Sequence, residues 1–127
     1  MSLDINPVVP KDRQLIQSYG DGRFKVTGEF FDGSILVFPD ETRLWPVTET
    51  AEIDMASLDA VIAEGDAVDI LLVGCGPRFK AIPKGLRQAL REAGIVLEWM
   101  DTGAACRTFN VLIAEERRVA AAILAVD

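Results

Sequence analysis

The stretch Asp69-Ile-Leu-Leu-Val-Gly-Cys-Gly-Pro-Arg-Phe-Lys80 decides the fold class of this chain. The run over residues 68–73 is too short and too rich in apolar side chains for a surface helix. It predicts a strand that is buried on both faces, as in parallel sheets. The glycines and the proline that follow predict a tight turn at the rim of an α/β sheet. We therefore expect a functional site, if the chain has one, at this turn.

The segments around this strand alternate between helical and extended patterns. Apolar spacing and helix-terminating glycines predict a helix over residues 57–64, a helix from Pro83 to Gly94, a strand over residues 95–100 and a helix over residues 104–115. Residues 119–126 are ambiguous, because alanine favours helix while the sheet needs another strand. We assign a strand there, which gives a βαβαβ core over residues 57–124.

The first third of the chain has a different pattern. Pro7 and Pro10 disfavour a helix, so residues 1–14 are interpreted as an extended lead-in. Residues 15–46 are predicted to be β structure, with a Gly-Asp-Gly turn at residues 20–22. Asp32-Gly33 lies between two apolar runs, a pattern that predicts a β-hairpin. No linker or repeat interrupts the sequence, so we expect a single domain over residues 1–127.

Composition excludes several classes of function. The 127 residues carry a net charge of −7, with five basic and 14 acidic side chains in residues 1–69. Such an acidic chain is not expected to bind nucleic acid, because the phosphate backbone would repel it. There is no apolar run long enough to span a bilayer and no secretory signal, so we expect a cytoplasmic protein, with peripheral attachment to a membrane as the alternative.

The chain contains no histidine and only two cysteines, Cys75 and Cys106. The absence of histidine excludes Ser–His and Cys–His nucleophile pairs within one chain, and two cysteines alone cannot complete a zinc site. We therefore expect no metal and no cofactor. A basic cluster does follow the glycine turn, and it could hold a small anion or an acidic partner or simply form a solvated helix face. Its members are Arg78, Lys80, Lys84, Arg87 and Arg91.

Two predicted strands end in polar or glycine-rich loops that would meet at one edge of a parallel sheet, where open α/β sheets bind ligands. The candidate binding rim comprises Gly74, Cys75, Gly76, Lys80, Asp101, Thr102, Arg107 and Asn110. Cys75 and Cys106 are candidate reactive thiols, with the alternative that both are small buried hydrophobes.

Each polar member of this rim also has a structural interpretation. Asp101 is more typical of a helix cap than of a catalytic acid or base. Arg107 could pair with a neighbouring carboxylate. A buried Asn110 must be hydrogen-bonded, so it could tie its helix to a neighbouring segment rather than bind a ligand. The glycine turn lacks the third glycine of a dinucleotide-binding fingerprint, since Phe79 stands at that position.

The runs Leu71-Leu-Val-Gly-Cys-Gly76 and Met100-Asp-Thr-Gly-Ala-Ala-Cys-Arg-Thr-Phe-Asn-Val-Leu112, followed by Arg117-Arg-Val-Ala-Ala-Ala122, resemble a known family. It is the small-domain family of mitochondrial NADH dehydrogenase (complex I) assembly factor 3 and uncharacterised prokaryotic relatives. The resemblance implies a three-layer α/β fold with a mixed central sheet. It also implies a non-catalytic role with a protein partner in building a membrane respiratory complex. It transfers no catalytic residues.

Two functional hypotheses follow. The first is a protein-binding, assembly-factor-like domain whose partner belongs to a membrane-associated complex. The alternative is a small-anion binder or thiol-dependent enzyme that uses the glycine turn and Cys75 or Cys106. The lack of histidine, of a metal motif and of a nucleotide fingerprint favours the first hypothesis, so we do not expect an enzyme.

Overall fold

The computed structural model describes residues 12–127, so most of the predicted lead-in lies outside the described residues. Within this range, eight strands and three α-helices follow one another. They are β1 (Ile16–Gly20), β2 (Arg23–Val26), β3 (Glu29–Asp32), β4 (Ile35–Val37), β5 (Thr42–Leu44), α1 (Asp59–Ile62), β6 (Ile70–Gly74), α2 (Leu86–Glu92), β7 (Val96–Met100), α3 (Thr102–Ala114) and β8 (Val119–Ile123).

The central sheet has five strands in the order β5-β4-β8-β6-β7. The strand β6 lies between β8 and β7 and is parallel to both, whereas β4 is antiparallel to β8. The prediction of a doubly buried strand is confirmed, because Leu71 and Val73 pack into one core cluster and Leu72 into the other. The strand over residues 119–126 is also confirmed as β8, whose five residues are all buried.

Two layers cover this sheet. The helices α1 and α2 supply Val61, Leu86 and Leu90 to the core cluster on one side, which we call the α2 face. The helix α3 covers the other side, the α3 face, together with the three-stranded antiparallel sheet β1-β2-β3. The three-layer α/β fold with a mixed central sheet is thereby confirmed.

The predicted Asp32-Gly33 hairpin is wrong. The strand β3 pairs only with β2 within the described sheets, while β4 pairs with β5 and β8. Gly33, with φ of 119°, carries the chain from one sheet to the other. Burial decides this outcome, because all three residues of β4 are buried and belong in the central sheet, whereas β3 is largely exposed. Local turn chemistry cannot choose between these partners.

Two helices differ in extent from the prediction. The helix expected from Pro83 begins instead at Leu86, because Gly85 adopts a left-handed backbone with φ of 83° and interrupts the turn. The helix expected over residues 57–64 is divided into a 3-10 turn at Ala56–Leu58 and the single turn of α1. Both apolar stripes nevertheless reach the core, since Leu58 and Leu90 are fully buried.

Candidate functional site

The glycine turn at residues 74–76 packs against the start of α3 without space for a side chain. A Cβ placed on Gly74 would lie 2.8 Å from Ile123 Cγ2, 3.0 Å from Thr102 Cα and 3.1 Å from Ala105 Cβ. The backbone of Gly74 has no positive φ, so contact distance alone requires glycine here. The edge at which a parallel sheet would hold a ligand is therefore filled by α3 and β8 at this point.

Hydrogen bonds occupy the polar backbone groups of the same turn. Cys75 N donates to Met100 O (2.8 Å), and Thr50 Oγ1 donates to Cys75 O (3.1 Å). Gly76 N donates to Thr102 Oγ1 (3.2 Å), and Thr102 N donates to Gly76 O (2.8 Å). A phosphate-binding turn needs N–H groups that point at the ligand. In this turn, the N–H groups of Cys75 and Gly76 instead donate hydrogen bonds within the protein.

The start of α3 is closed in a similar way. Asp101 caps the helix, because its Oδ1 accepts from Ala104 N at 2.9 Å, which confirms the cap interpretation. Thr102 is completely buried, and its Oγ1 donates to Leu124 O at 2.7 Å. This hydroxyl joins the glycine turn, α3 and the end of β8 into one unit, so Thr102 is a structural residue of the junction.

Asn110 ties α3 to the edge of the three-stranded sheet. Its Oδ1 accepts from Ile16 N (2.9 Å) and its Nδ2 donates to Ile16 O (2.8 Å). The side-chain amide thus pairs with β1 as a neighbouring strand would. This is the structural tie that the sequence offered as the alternative to a ligand role.

A shallow groove of about 440 Å³ runs between β1 and α3, and we call it the Arg107 groove. Arg107 is exposed within it. Tyr19 also lines it, and the Tyr19 hydroxyl would lie 2.5 Å from a Cβ placed on Gly103. The groove is lined by Ile16, Gln17, Ser18, Tyr19, Cys106, Arg107 and Asn110. Tyr19 was not predicted from the sequence as a residue of the groove. The one signal for it was Gly103 in the first turn of α3, which leaves space for the Tyr19 hydroxyl.

The predicted rim is therefore divided among three places. Gly74, Gly76, Asp101 and Thr102 form the closed junction. Arg107 and Asn110 line the groove on the α3 face. Cys75 packs on the opposite, α2 face, where its Sγ accepts from Lys80 N at 3.4 Å. The eight residues do not converge on one open site.

The two thiols lie on opposite faces of the central sheet, Cys75 in the cluster on the α2 face and Cys106 in the cluster on the α3 face. An intrachain disulfide would need the two side chains in direct contact, which this arrangement prevents. Burial raises the pKa of the Cys106 thiol to about 12, and the Arg107 charge offsets only part of that effect. Cys106 is therefore a neutral thiol near pH 7, and this argues against it as a nucleophile.

We expect Cys106 to react with a disulfide reagent at neutral pH at least about a hundredfold more slowly in the native protein than in the unfolded chain, where its pKa returns to about 8.5. The measurement is the rate of thiol modification of a Cys75→Ser variant with and without denaturant. A Cys106→Ser variant reports the other thiol under the same conditions. Rapid modification of native Cys106 would contradict the buried, neutral thiol.

A second cavity, of about 340 Å³, lies at the opposite edge of the sheet near the start of β8. Its floor is apolar, formed in part by Phe38 and Val68, and charges of both signs surround it. Arg43 pairs with Glu64 across 3.7 Å nearby, and Arg118 pairs with Asp69 at 2.9 Å. No sequence motif predicted this cavity. Within residues 12–127, no group of three or more Asp, Glu or Cys side chains could hold a metal ion.

Comparison with known proteins gives the chain a family. The family model for proteins of unknown function DUF498/DUF598 matches residues 16–124. The chain belongs to this family. A family relative, an uncharacterised protein of Rhodobacter capsulatus, is 38% identical over 109 residues, which cover 86% of this chain and 82% of the relative.

The chain is also similar to named proteins. NADH dehydrogenase (ubiquinone) 1 alpha subcomplex assembly factor 3 of Xenopus tropicalis is 31% identical over 109 residues, 86% of this chain. The match spans only 60% of that assembly factor's own length. The crystal structure of a protein from Bartonella henselae, described as an outer membrane protein, superposes with a TM-score of 0.84 at 37% identity, covering 94% of this chain and all of that one.

These findings confirm the family resemblance that was drawn from the three runs of residues 71–76, 100–112 and 117–122. Homologues of this chain are complex I assembly factors. Among the helices of residues 12–127, none has the length and apolar character needed to cross a membrane.

Proposed function

We propose that this chain is a non-catalytic, protein-binding domain that acts in the assembly of a membrane respiratory complex, from the cytoplasm or from the membrane surface. The observation that carries the proposal is the structural use of the two stretches that carry the family resemblance, the glycine turn and the start of α3. Gly74, Asp101 and Thr102 hold the junction together through contacts within the chain. These two stretches therefore build a scaffold, and the named homologues are assembly factors.

The alternative, a small-anion binder or thiol-dependent enzyme, finds less support in the geometry. The N–H groups of Cys75 and Gly76 already donate within the protein. Cys75 is 1% exposed, and Cys106 is 3% exposed with a strongly raised pKa. A cysteine nucleophile must be a thiolate and must be accessible to its substrate. Burial makes both thiols inaccessible, and the raised pKa keeps Cys106 protonated.

Arg107 is a member of the predicted rim that remains open to a partner, in the Arg107 groove. Arg107 is exposed beside the half-exposed ring of Tyr19. Arginine and tyrosine are enriched among the residues that dominate binding energy in protein interfaces. We place the partner-binding surface at this groove.

The test is affinity capture of complex I components from a lysate of the source organism in mild detergent. The wild-type chain is compared with Arg107→Glu, and Arg117→Glu at the opposite edge of the sheet serves as the matched charge reversal. We expect Arg107→Glu to lower recovery of complex I subunits at least about tenfold, a loss of about 1.4 kcal/mol in binding, while Arg117→Glu retains it. Equal recovery by both variants would refute the placement of the partner-binding surface at the Arg107 groove. Failure of the wild-type chain to recover these subunits would refute the proposed role in assembly.

A further inference from the structure

Phe79 is 67% exposed, more than any other large apolar side chain of residues 12–127. It follows the glycine turn in the loop before α2 and has a cation on each side, Arg78 and Lys80. Within residues 76–94 it is the one large apolar side chain that is exposed to this degree. Neither the junction nor the Arg107 groove gives it a role.

Two buried side chains hold the backbone on either side of Phe79. Cys75 Sγ donates to Arg78 O (3.5 Å) and accepts from Lys80 N (3.4 Å). Trp99 Nε1 donates to Lys80 O at 2.6 Å. These hydrogen bonds hold the backbone on both sides of Phe79, which limits the backbone entropy that binding would otherwise have to remove. This arrangement also gives Cys75 a role in positioning the loop.

The segment that follows this loop carries further exposed cations. Arg87 and Arg91 lie one turn apart on the exposed side of α2, and Lys84 lines the same depression. Arg87 Nη1 also donates to Leu97 O at 2.7 Å, which anchors it beside the edge strand β7. We call this surface the basic face. It consists of Arg78, Phe79, Lys80, Lys84, Arg87 and Arg91.

The charge of the basic face is not neutralised by ion pairs in the described part of the chain. None of its five cations lies within 4.0 Å of a carboxylate there. Glu92 is the one acidic residue in the sequence from residue 75 to 95, and Asp54 lines an adjoining depression with Lys84. The face contrasts with the chain as a whole, whose net charge is −7.

We propose that the basic face docks on an anionic lipid surface, with the Phe79 ring among the headgroups and the cations against the lipid phosphates. An interface with a protein normally has an apolar core of several residues, whereas a single exposed ring among cations suits the boundary between headgroups and acyl chains. Each Lys or Arg near an anionic leaflet strengthens binding about fivefold.

Phe30 provides a matched control, because it is 52% exposed and also has two neighbouring cations. Arg23 stacks 4.2 Å from the centre of its ring and Lys25 lies 5.6 Å away. Arg23 is also paired with Asp32 at 3.2 Å. These cations are engaged within the protein, so the Phe30 surface is not expected to bind lipid.

The test is flotation of the purified full chain with vesicles of phosphatidylcholine alone or mixed with phosphatidylglycerol. It needs no protein partner, so its outcome is independent of the proposed assembly role. We expect binding to the anionic vesicles only, weakened by salt. Phe79→Ser should lower the affinity for anionic vesicles about tenfold. The double variant Lys84→Glu, Arg91→Glu should lower it by at least as much. Phe30→Ser should leave it unchanged.

Circular dichroism establishes that each variant is folded before its flotation is interpreted. Absence of wild-type binding, equal binding to neutral vesicles or full binding by Phe79→Ser would overturn the lipid proposal. Loss of complex I subunits from the detergent capture by Phe79→Ser, without vesicle binding by the wild type, would assign the basic face to a protein partner instead.

Discussion

Gly74→Ala should destabilise the fold by about 1–3 kcal/mol, and Gly74→Val by more, because there is no space beyond the Cα atom. The nearest obstacles are Ile123 Cγ2 on the fully buried central strand β8 and the backbone of Thr102. Neither can move without displacing a packed element. The measurement is the free energy of unfolding from urea denaturation of each variant.

A double-mutant cycle with Ile123→Ala tests the stated cause. Removing the Cγ2 atom should relieve part of the clash, so the combined loss should be smaller than the sum by at least about 0.5 kcal/mol. Ala81→Val also enlarges an apolar side chain, but at an exposed loop position. It should change the free energy of unfolding by no more than about 0.5 kcal/mol. Strict additivity of Gly74→Ala and Ile123→Ala would show that the contact with Ile123 is not the cause.

Thr102→Val should cost about 2–4 kcal/mol, although the two side chains have nearly the same shape. Valine cannot donate to Leu124 O or accept from Gly76 N, and both groups would lose a partner in a region closed to water. The same urea denaturation measures the loss. The effect should be larger than that of an average substitution because two buried backbone groups are involved.

Two controls accompany Thr102→Val. Thr102→Ser keeps the hydroxyl and should retain most of the stability. Thr108→Val changes a half-buried threonine of the same helix whose hydroxyl has no hydrogen-bond partner in the described range, and it should stay within about 0.5 kcal/mol. A similar loss for Thr102→Val and Thr108→Val would contradict the role of the hydroxyl.

These two residues also affect how functional variants are interpreted. Substitution of Gly74 or Thr102 would lower binding to any partner simply by unfolding the junction. Arg107 and Phe79 are exposed, so their substitution tests a surface without that complication. The glycine turn and the start of α3 thus report on the scaffold, while Arg107 and Phe79, the contact residues that we propose, lie outside the junction.

Much of the central fold could be predicted from local patterns. The continuous apolar run of β6 and the periodic apolar residues of α3 predicted their burial, and both elements occur where expected. The cap at Asp101 followed from its position before α3. The strand β8 was ambiguous from its alanines, and its choice depended on the need for a strand in the sheet.

The candidate site was predicted less well. Residues that follow the ends of β6 and β7 were expected to converge, but they lie in the junction, in the Arg107 groove and on the α2 face. Tyr19 reaches the groove from β1, more than 80 residues away in the chain from Arg107. Periodicity describes a single element and contains no information about which distant element packs against it.

The sequence by itself determined the α/β class, the buried strand β6, the cap of α3 and the family, because each depends on residue types at short spacing. Only the tertiary structure decided that Asp32-Gly33 joins two sheets, that Thr102 fills the sheet edge and that Cys75 and Cys106 lie on opposite faces. The physical reason is that burial and hydrogen-bond pairing are properties of the whole packed chain, and they override local preference wherever the two conflict.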